Sequence, residues 1–258
     1  MQHFWTRLIN GSALLLLLGA PSLNISAHAL AAKPVASSPS VKIQVQNPLT
    51  NNAAIAAADA IFSAIQQRDA NKRFSQFSDE LKQTSSPSMV QGTLQSWPEL
   101  ISWKITKVNS GLRSTSVSAE LTTATGKQEV TLVLNAKGLL QAQLLNAAGQ
   151  PSTKVAEGFV KAISQGQFIT ARSFLSLDFQ NELPPGALQK RWQELQRVTG
   201  NFQQIRKVTE ADHTSDSKLV LVETDFNRLS DSLFIILNNK NQIIGVDFPT
   251  DVQPKTLR

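Results

Sequence analysis

Two stretches of the chain carry the same order of hydrophobic and polar positions. Ala58, Ile61, Phe62 and Ile65 fall at i, i+3, i+4 and i+7, and Ala156, Phe159, Val160 and Ile163 repeat that spacing. Each foursome therefore shares one face of a helix. Gly166 follows the second set, where a left-handed cap commonly ends a helix. A second helical stretch comes next, carrying Phe74, Phe77 and Leu81 in one copy and Phe168, Ala171, Phe174 and Leu175 in the other. The third helix starts at Ser86-Pro87 and at Leu183-Pro184-Pro185-Gly186, since proline suits the first helical turn. Val90, Leu94, Trp97 and Ile101 then share a face, as do Leu188, Trp192, Leu195 and Val198. Pro98 lacks the amide that a helix interior needs, so the first copy's third helix is expected to bend or stop near Ser96.

After the helices the period changes to two. Strands are predicted at 103–108, 114–122, 129–135 and 139–145, and again at 202–209, 218–226, 232–237 and 243–248. Asn109-Ser110-Gly111, Thr125-Gly126, Ala136-Lys137-Gly138 and Asn238-Asn239-Lys240-Asn241 supply turns between them. Connections this short allow only antiparallel hairpins. The predicted fold is α+β: two tandem units, each with three helices followed by a four-stranded antiparallel sheet. The expected boundaries are 53–145 and 154–249, joined by a linker at 146–153 and followed by a polar tail at 250–258.

Four blocks support a duplication. Ala58–Ile65 lies over Ala156–Ile163, Trp97-Pro98-Glu99-Leu100 over Trp192-Gln193-Glu194-Leu195, Ile105–Val108 over Ile205–Val208, and Val130–Lys137 over Leu233–Lys240. The offsets are 98, 95, 100 and 103, so short gaps align them in order.

The N-terminus has a different character. Arg7, the run Ala13–Ala20 and the small-x-small Ala27-His28-Ala29 read as a signal peptide over 1–29. The apolar run is short of the roughly 20 residues a membrane helix needs. Residues 30–52, rich in Ala, Pro and Ser, read as a flexible tether, with Val41–Val45 able to add a short edge strand. The expectation is an exported protein of the periplasm or lumen of a Gram-negative-type bacterium, without stable membrane insertion after cleavage. The composition has a cyanobacterial look. The chain has no Cys, so oxidising surroundings add nothing and stability rests on burial. The formal net charge of +6 comes from Lys and Arg scattered singly, which reads as a solvated surface and not a nucleic-acid stripe.

Candidate chemistry is sparse. Removing the signal leaves His213 as the single histidine, inside the polar run Asp212-His213-Thr214-Ser215-Asp216, and Tyr is absent. That run reads as a solvated turn. No cofactor, soft-metal cluster, nucleophile elbow or phosphate loop is expected. Glu223 and Asp225 alternate on one strand and share a face with Leu219 and Leu221, and Asp247 ends the neighbouring strand. Facing a cavity, such carboxylates would have raised pKa values and could act as an acid–base pair; facing water, they are ordinary charges. Trp97 and Trp192 occupy matching places, where an aromatic either floors a ligand pocket or fills the core. Trp103 has no counterpart and is expected to fill the first unit.

Ala156-Glu157-Gly158-Phe159-Val160, Gly166-Gln167-Phe168, Trp192-Gln193-Glu194-Leu195, Gly200-Asn201-Phe202 and Ile243-Ile244-Gly245-Val246 resemble the domain-of-unknown-function 3887 family. The resemblance covers Val155–Pro249 and extends only in part to Ala56–Leu145, which lacks counterparts of Gly200 and Gly245. It implies a nuclear-transport-factor-two-like cone, a curved sheet wrapped by helices, in an exported bacterial accessory domain sometimes fused to envelope hydrolases.

Three functional readings follow. The leading one is a non-enzymatic module that binds a small apolar ligand or an envelope protein, with Trp192, Glu223, Asp225 and Asp247 as the ligand-binding residues. The second is a proton-transfer enzyme or hydrolase subunit using Glu223 and Asp225. The third is a scaffold with filled cones. A binding cavity of about 300–1,000 Å3 separates the first from the third.

Overall fold

The computed structural model describes residues 48–248, all within one compact unit. The expected signal peptide, most of the tether with Val41–Val45, and the tail lie outside the described residues. Each half runs four helices and then four strands. The first holds α1 (Asn51–Gln66), α2 (Ala70–Ser75), α3 (Asp79–Gln83), α4 (Pro87–Ser96), β1 (Leu100–Ser110), β2 (Ser114–Thr123), β3 (Gly126–Asn135) and β4 (Leu140–Leu145). The second holds α5 (Ser152–Ser164), α6 (Phe168–Ser173), α7 (Leu177–Glu182), α8 (Pro185–Thr199), β5 (Phe202–His213), β6 (Ser217–Phe226), β7 (Ser230–Asn238) and β8 (Ile243–Asp247). Both sheets are antiparallel meanders, in the orders β1-β2-β3-β4 and β5-β6-β7-β8. The protein is therefore α+β, with two four-stranded antiparallel sheets each preceded by helices. Among the described residues no helix is long and apolar enough to cross a membrane.

The helical stripes are buried as their spacing requires. Ala58, Ile61, Phe62 and Ile65 enter one core, and Ala156, Phe159, Val160 and Ile163 enter the other. Asn51 already belongs to α1, whose N-cap Thr50 accepts from the Ala53 amide at 3.3 Å, so the helix starts inside the stretch read as tether. α4 stops at Ser96, before Pro98, as the missing proline amide requires. Ile101 consequently belongs to β1 and is exposed instead of continuing the α4 stripe. In α8 the buried face runs Leu188, Trp192, Leu195 and Thr199, while Val198 is exposed. Thr199 enters the core because its hydroxyl donates back to Leu195 O at 2.9 Å. Gly200 then turns the chain at φ +89°, and a Cβ there would lie 1.7 Å from Asn227 Oδ1.

Each half has four helices, not three. The second helical stretch breaks at Phe77 and at Leu175, which form parallel bridges to Leu140 and Ile243. The Leu140 amide donates to Gln76 O and the Ser78 amide to Leu140 O, both at 2.8 Å. The second half repeats this, Ile243 N to Phe174 O at 2.9 Å and Ser176 N to Ile243 O at 2.8 Å. The break thus pairs the start of the last strand, and Ser78 and Ser176 cap the helices that follow.

Residues from both halves meet at a seam. Gln180 of α7 is fully buried and donates from Nε2 to Gln143 O of β4 at 2.9 Å and to Leu175 O at 3.1 Å. The Arg172 guanidinium reaches Gln141 O of β4 at 3.3 Å and Gln180 O at 3.0 and 3.2 Å. These donors occupy carbonyls along the outer edge of β4, which would otherwise be open to another chain. At the start of α8, Gly186 N donates to Thr84 O at 2.8 Å, and a Cβ on residue 186 would stand 2.9 Å from that same oxygen. Glycine follows the prolines here because the backbones approach so closely.

Candidate functional site

The four residues read from the sequence as a ligand site do not converge. Trp192 is 2% exposed and lies in the second core, its ring 5.9 Å from those of Phe202 and Phe226. These three rings fill the space under the sheet, so Trp192 does not floor a ligand pocket. Glu223 and Asp225 point to the opposite face, because Val220, Val222, Thr224 and Phe226 take the buried side of β6. Asp247 is exposed on the edge strand, across from Phe234.

The carboxylates sit in a polar lattice, not a cavity. Arg206 lies 3.2 Å from Glu223 and 3.8 Å from Asp225. Ser230 Oγ donates to Asp225 at 2.6 Å and Gln204 Nε2 at 3.0 Å. The Ser230 hydroxyl, then Gln204 and the Arg206 charge, hold the Asp225 carboxyl below its ordinary range. An acid–base pair needs the reverse, a raised pKa. His213 ends β5, exposed, and among the described residues no three His, Asp or Glu are grouped to hold a metal.

Trp103 packs across Phe62 at 5.8 Å and donates from its indole nitrogen to Asp59 at 2.8 Å, so it closes the first core as expected. Trp97 differs from its partner Trp192. It is half-buried and lines a small cavity of about 30 Å3 between α2, α4 and α6.

Open space lies along the seam instead. A groove of about 390 Å3 runs between α3 and α7, lined by Ser78, Glu80, Thr84, Gln141, Arg172 and Asn181 among others. Deeper in the seam lies Arg73 of α2, 3% exposed, with its guanidinium 5.0 Å above the Phe77 ring and donating to Gln143 Oε1 at 3.2 Å. Burial pushes Arg73 down to about 9 and Arg172 to about 10, so both stay charged at neutral pH. Neither has a carboxylate within ion-pairing distance among the described residues.

Residues 156–246 match the family model described as "Protein of unknown function (DUF3887)". The second half is the DUF3887 match. No curated protein and no solved structure matches the chain.

The DUF3887 half differs from the first half on the outer sheet face. Leu219 pairs with Ile236 and Leu221 with Phe234, putting four apolar side chains together. Phe234 and Ile236 remain 44% and 41% exposed. At the corresponding positions the first half has Ser116 opposite Val133 and Ser118 opposite Thr131, whose hydroxyls bond at 3.0 Å. The fold therefore tolerates small hydroxyl residues there. Sequence reasoning placed Leu219 and Leu221 on the carboxylate face but missed Phe234 and Ile236 as their neighbours, a juxtaposition that the register alone supplies. The buried arginines were missed too: Arg172 is the one charge in Phe168–Ser173, a signal the sequence carries, whereas Arg73 follows Lys72 in a polar helix and gives no such signal.

The Asp225 lattice makes a direct prediction. Its stabilising contribution is present above the unfolded-state pKa and is lost as pH falls through the depressed folded value. Ser230→Ala removes the strongest hydrogen bond, so the Asp225 midpoint moves up toward the ordinary value of about 3.9 in a carboxyl-carbon NMR titration. An unmoved midpoint would show that Ser230 does not hold the charge.

Proposed function

We propose that this is a non-enzymatic exported binding module that docks an envelope protein on the outer sheet face of its second half. The observation that carries this reading is the apolar quartet Leu219, Leu221, Phe234 and Ile236, with Phe234 and Ile236 exposed and the two leucines half-buried, where the first half bears Ser116, Ser118 and Thr131 with Val133. Contiguous exposed apolar surface with a polar rim is a mark of an interaction site. Asp212 stands across from Leu219 and Asp247 across from Phe234, two carboxylates beside the quartet on a chain of net charge +6, while Glu223 is already paired with Arg206. The occupant is accordingly a protein surface with an apolar centre and basic side chains around it. Both interiors are filled by aliphatic and aromatic side chains, which argues against a ligand held inside the sheet. The finer cone-like, nuclear-transport-factor-two-like shape belongs to this proposal; the register shifts along β1 and β5 support it, because bulges bend a sheet.

A photo-crosslinking residue placed at 221, 234 or 236 in living cells is expected to give one common adduct, joined near Lys or Arg of an exported protein. The same residue at 131, the matching site of the first half, gives none. Adducts of equal yield at 131 and 234, no adduct at either, or an adduct with a second copy of this chain would overturn the reading.

The seam groove favours a second reading, a small polar ligand held between α3 and α7, because its volume of about 390 Å3 falls in the range of ligand sites. Glu80 and Arg172 give that groove both signs of charge. Native mass spectra of protein purified gently from its own cells test it: a reproducible mass lost on activation, and weakened by Asn181→Ala, supports the groove, and bare protein removes it.

A further inference from the structure

The seam buries two guanidinium groups without a carboxylate, and one of them has a free donor. Arg73 Nη1 is shut off from solvent with no hydrogen-bond partner, and Thr93 Oγ1 is in the same condition. Both residues line the cavity of about 30 Å3, together with Val90, Leu94, Trp97 and Ile169. No Asp or Glu lines it; Gln143 from β4 and Thr170 and Ser173 from α6 complete its polar wall. An unpaired buried cation is strongly disfavoured unless something neutralises it.

We propose that this cavity binds one monovalent anion of halide size, held by Arg73 Nη1 and Thr93 Oγ1. The size sets the class. A water needs about 10–15 Å3, so a cavity of about 30 Å3 has room for two or three waters or one small ion, and it suits a halide better than sulfate, phosphate or an organic acid. The unsatisfied atoms set the sign. Both can donate, whereas the orphan acceptor nearby, Gln180 Oε1, belongs to a residue on the adjoining cavity of about 10 Å3. Arg73, Phe77, Gln143 and Ile169 line both spaces. A water fits the smaller one, bridging Gln180 Oε1, while the larger presents positive charge and donors to an anion. Because Arg73 and Thr93 come from the first half and Ile169, Thr170 and Ser173 from the second, the ion would tie the halves together.

The test compares thermal unfolding of the full chain in sodium chloride, sodium bromide and sodium gluconate at equal ionic strength. A saturating rise in midpoint with either halide over gluconate is expected. Thr93→Val removes one donor and keeps the shape, so half-saturation shifts to about tenfold higher halide. Arg73→Met abolishes the halide response. In crystals soaked in bromide, an anomalous peak is expected within contact distance of Arg73 Nη1 and Thr93 Oγ1. Equal midpoints in halide and gluconate, an unshifted Thr93→Val response, or waters in place of the peak would overturn the assignment. Thr93→Val decides the matter even if Arg73→Met does not fold.

Discussion

Trp192→Ala is expected to lower the unfolding free energy by about 3–5 kcal/mol, the usual cost of emptying an aromatic site in a close-packed core. The indole is nearly inaccessible and meets Phe202 and Phe226, themselves 6.0 Å apart and edge-on. Removing it strips contacts from both rings and from the sheet beneath, and α8 cannot collapse inward because Gly200 and the prolines at its start fix both ends. For a described region of this size, each kcal/mol moves the thermal midpoint by about 2–4 °C, so the fall should be about 6–20 °C. Trp97→Ala, at the matching place of the first half, should cost about 2 kcal/mol or less, because that side chain is half-buried against a small cavity. Denaturant titration of both variants checks this. Equal losses would mean that the two tryptophans do the same work. A stable Trp192→Ala protein that lost a bound small molecule would restore the ligand-floor reading that its packing argues against.

That contrast shows what local patterning reveals and what it omits. The i, i+3, i+4, i+7 stripes placed α1 and α5 and named their buried residues, because one helix face determines its own burial. The alternation in Lys218–Phe226 put Glu223 and Asp225 on one face of a strand. It could not say which face meets the helices; Phe226, Val222 and Val220 decide that by entering the core. The break at Phe77 and Leu175 was hidden for a similar reason. It arises from pairing with Leu140 and Ile243, more than sixty residues away in each half, and no local period encodes a partner so distant. Val198 misled because aliphatic residues near a helix end look like core, whereas Gly200 ends the turn with Thr199 inward. The Gly186 contact was legible only as a helix start. Its second role, the close approach to Thr84, belongs to the seam, and nothing in either half read alone announces a seam.

Gln180→Ala is expected to divide the protein's unfolding in two. Gln180 is fully buried, and its one amide nitrogen serves both Gln143 O of the first half and Leu175 O of its own. Truncation leaves both carbonyls short of a donor inside the seam, at about 1–3 kcal/mol for each group left unsatisfied. The Arg172 bonds go to the backbone oxygen of residue 180, so they survive in geometry but lose the side chain that packs the strand edge in place. With about 2–6 kcal/mol gone from the contact that couples the halves, each should melt on its own terms. The wild-type chain is expected to show one cooperative transition by calorimetry, with calorimetric and van't Hoff enthalpies equal. The variant should show two, and protease should cut first between Asn146 and Pro151, the connection from β4 to α5. The core Leu195→Ala variant is the control: it should weaken the second half by a comparable amount while the linker stays protected below the transition. A single transition in Gln180→Ala, shifted but undivided, would mean that apolar packing around Phe174 and Met89 holds the halves together without the glutamine.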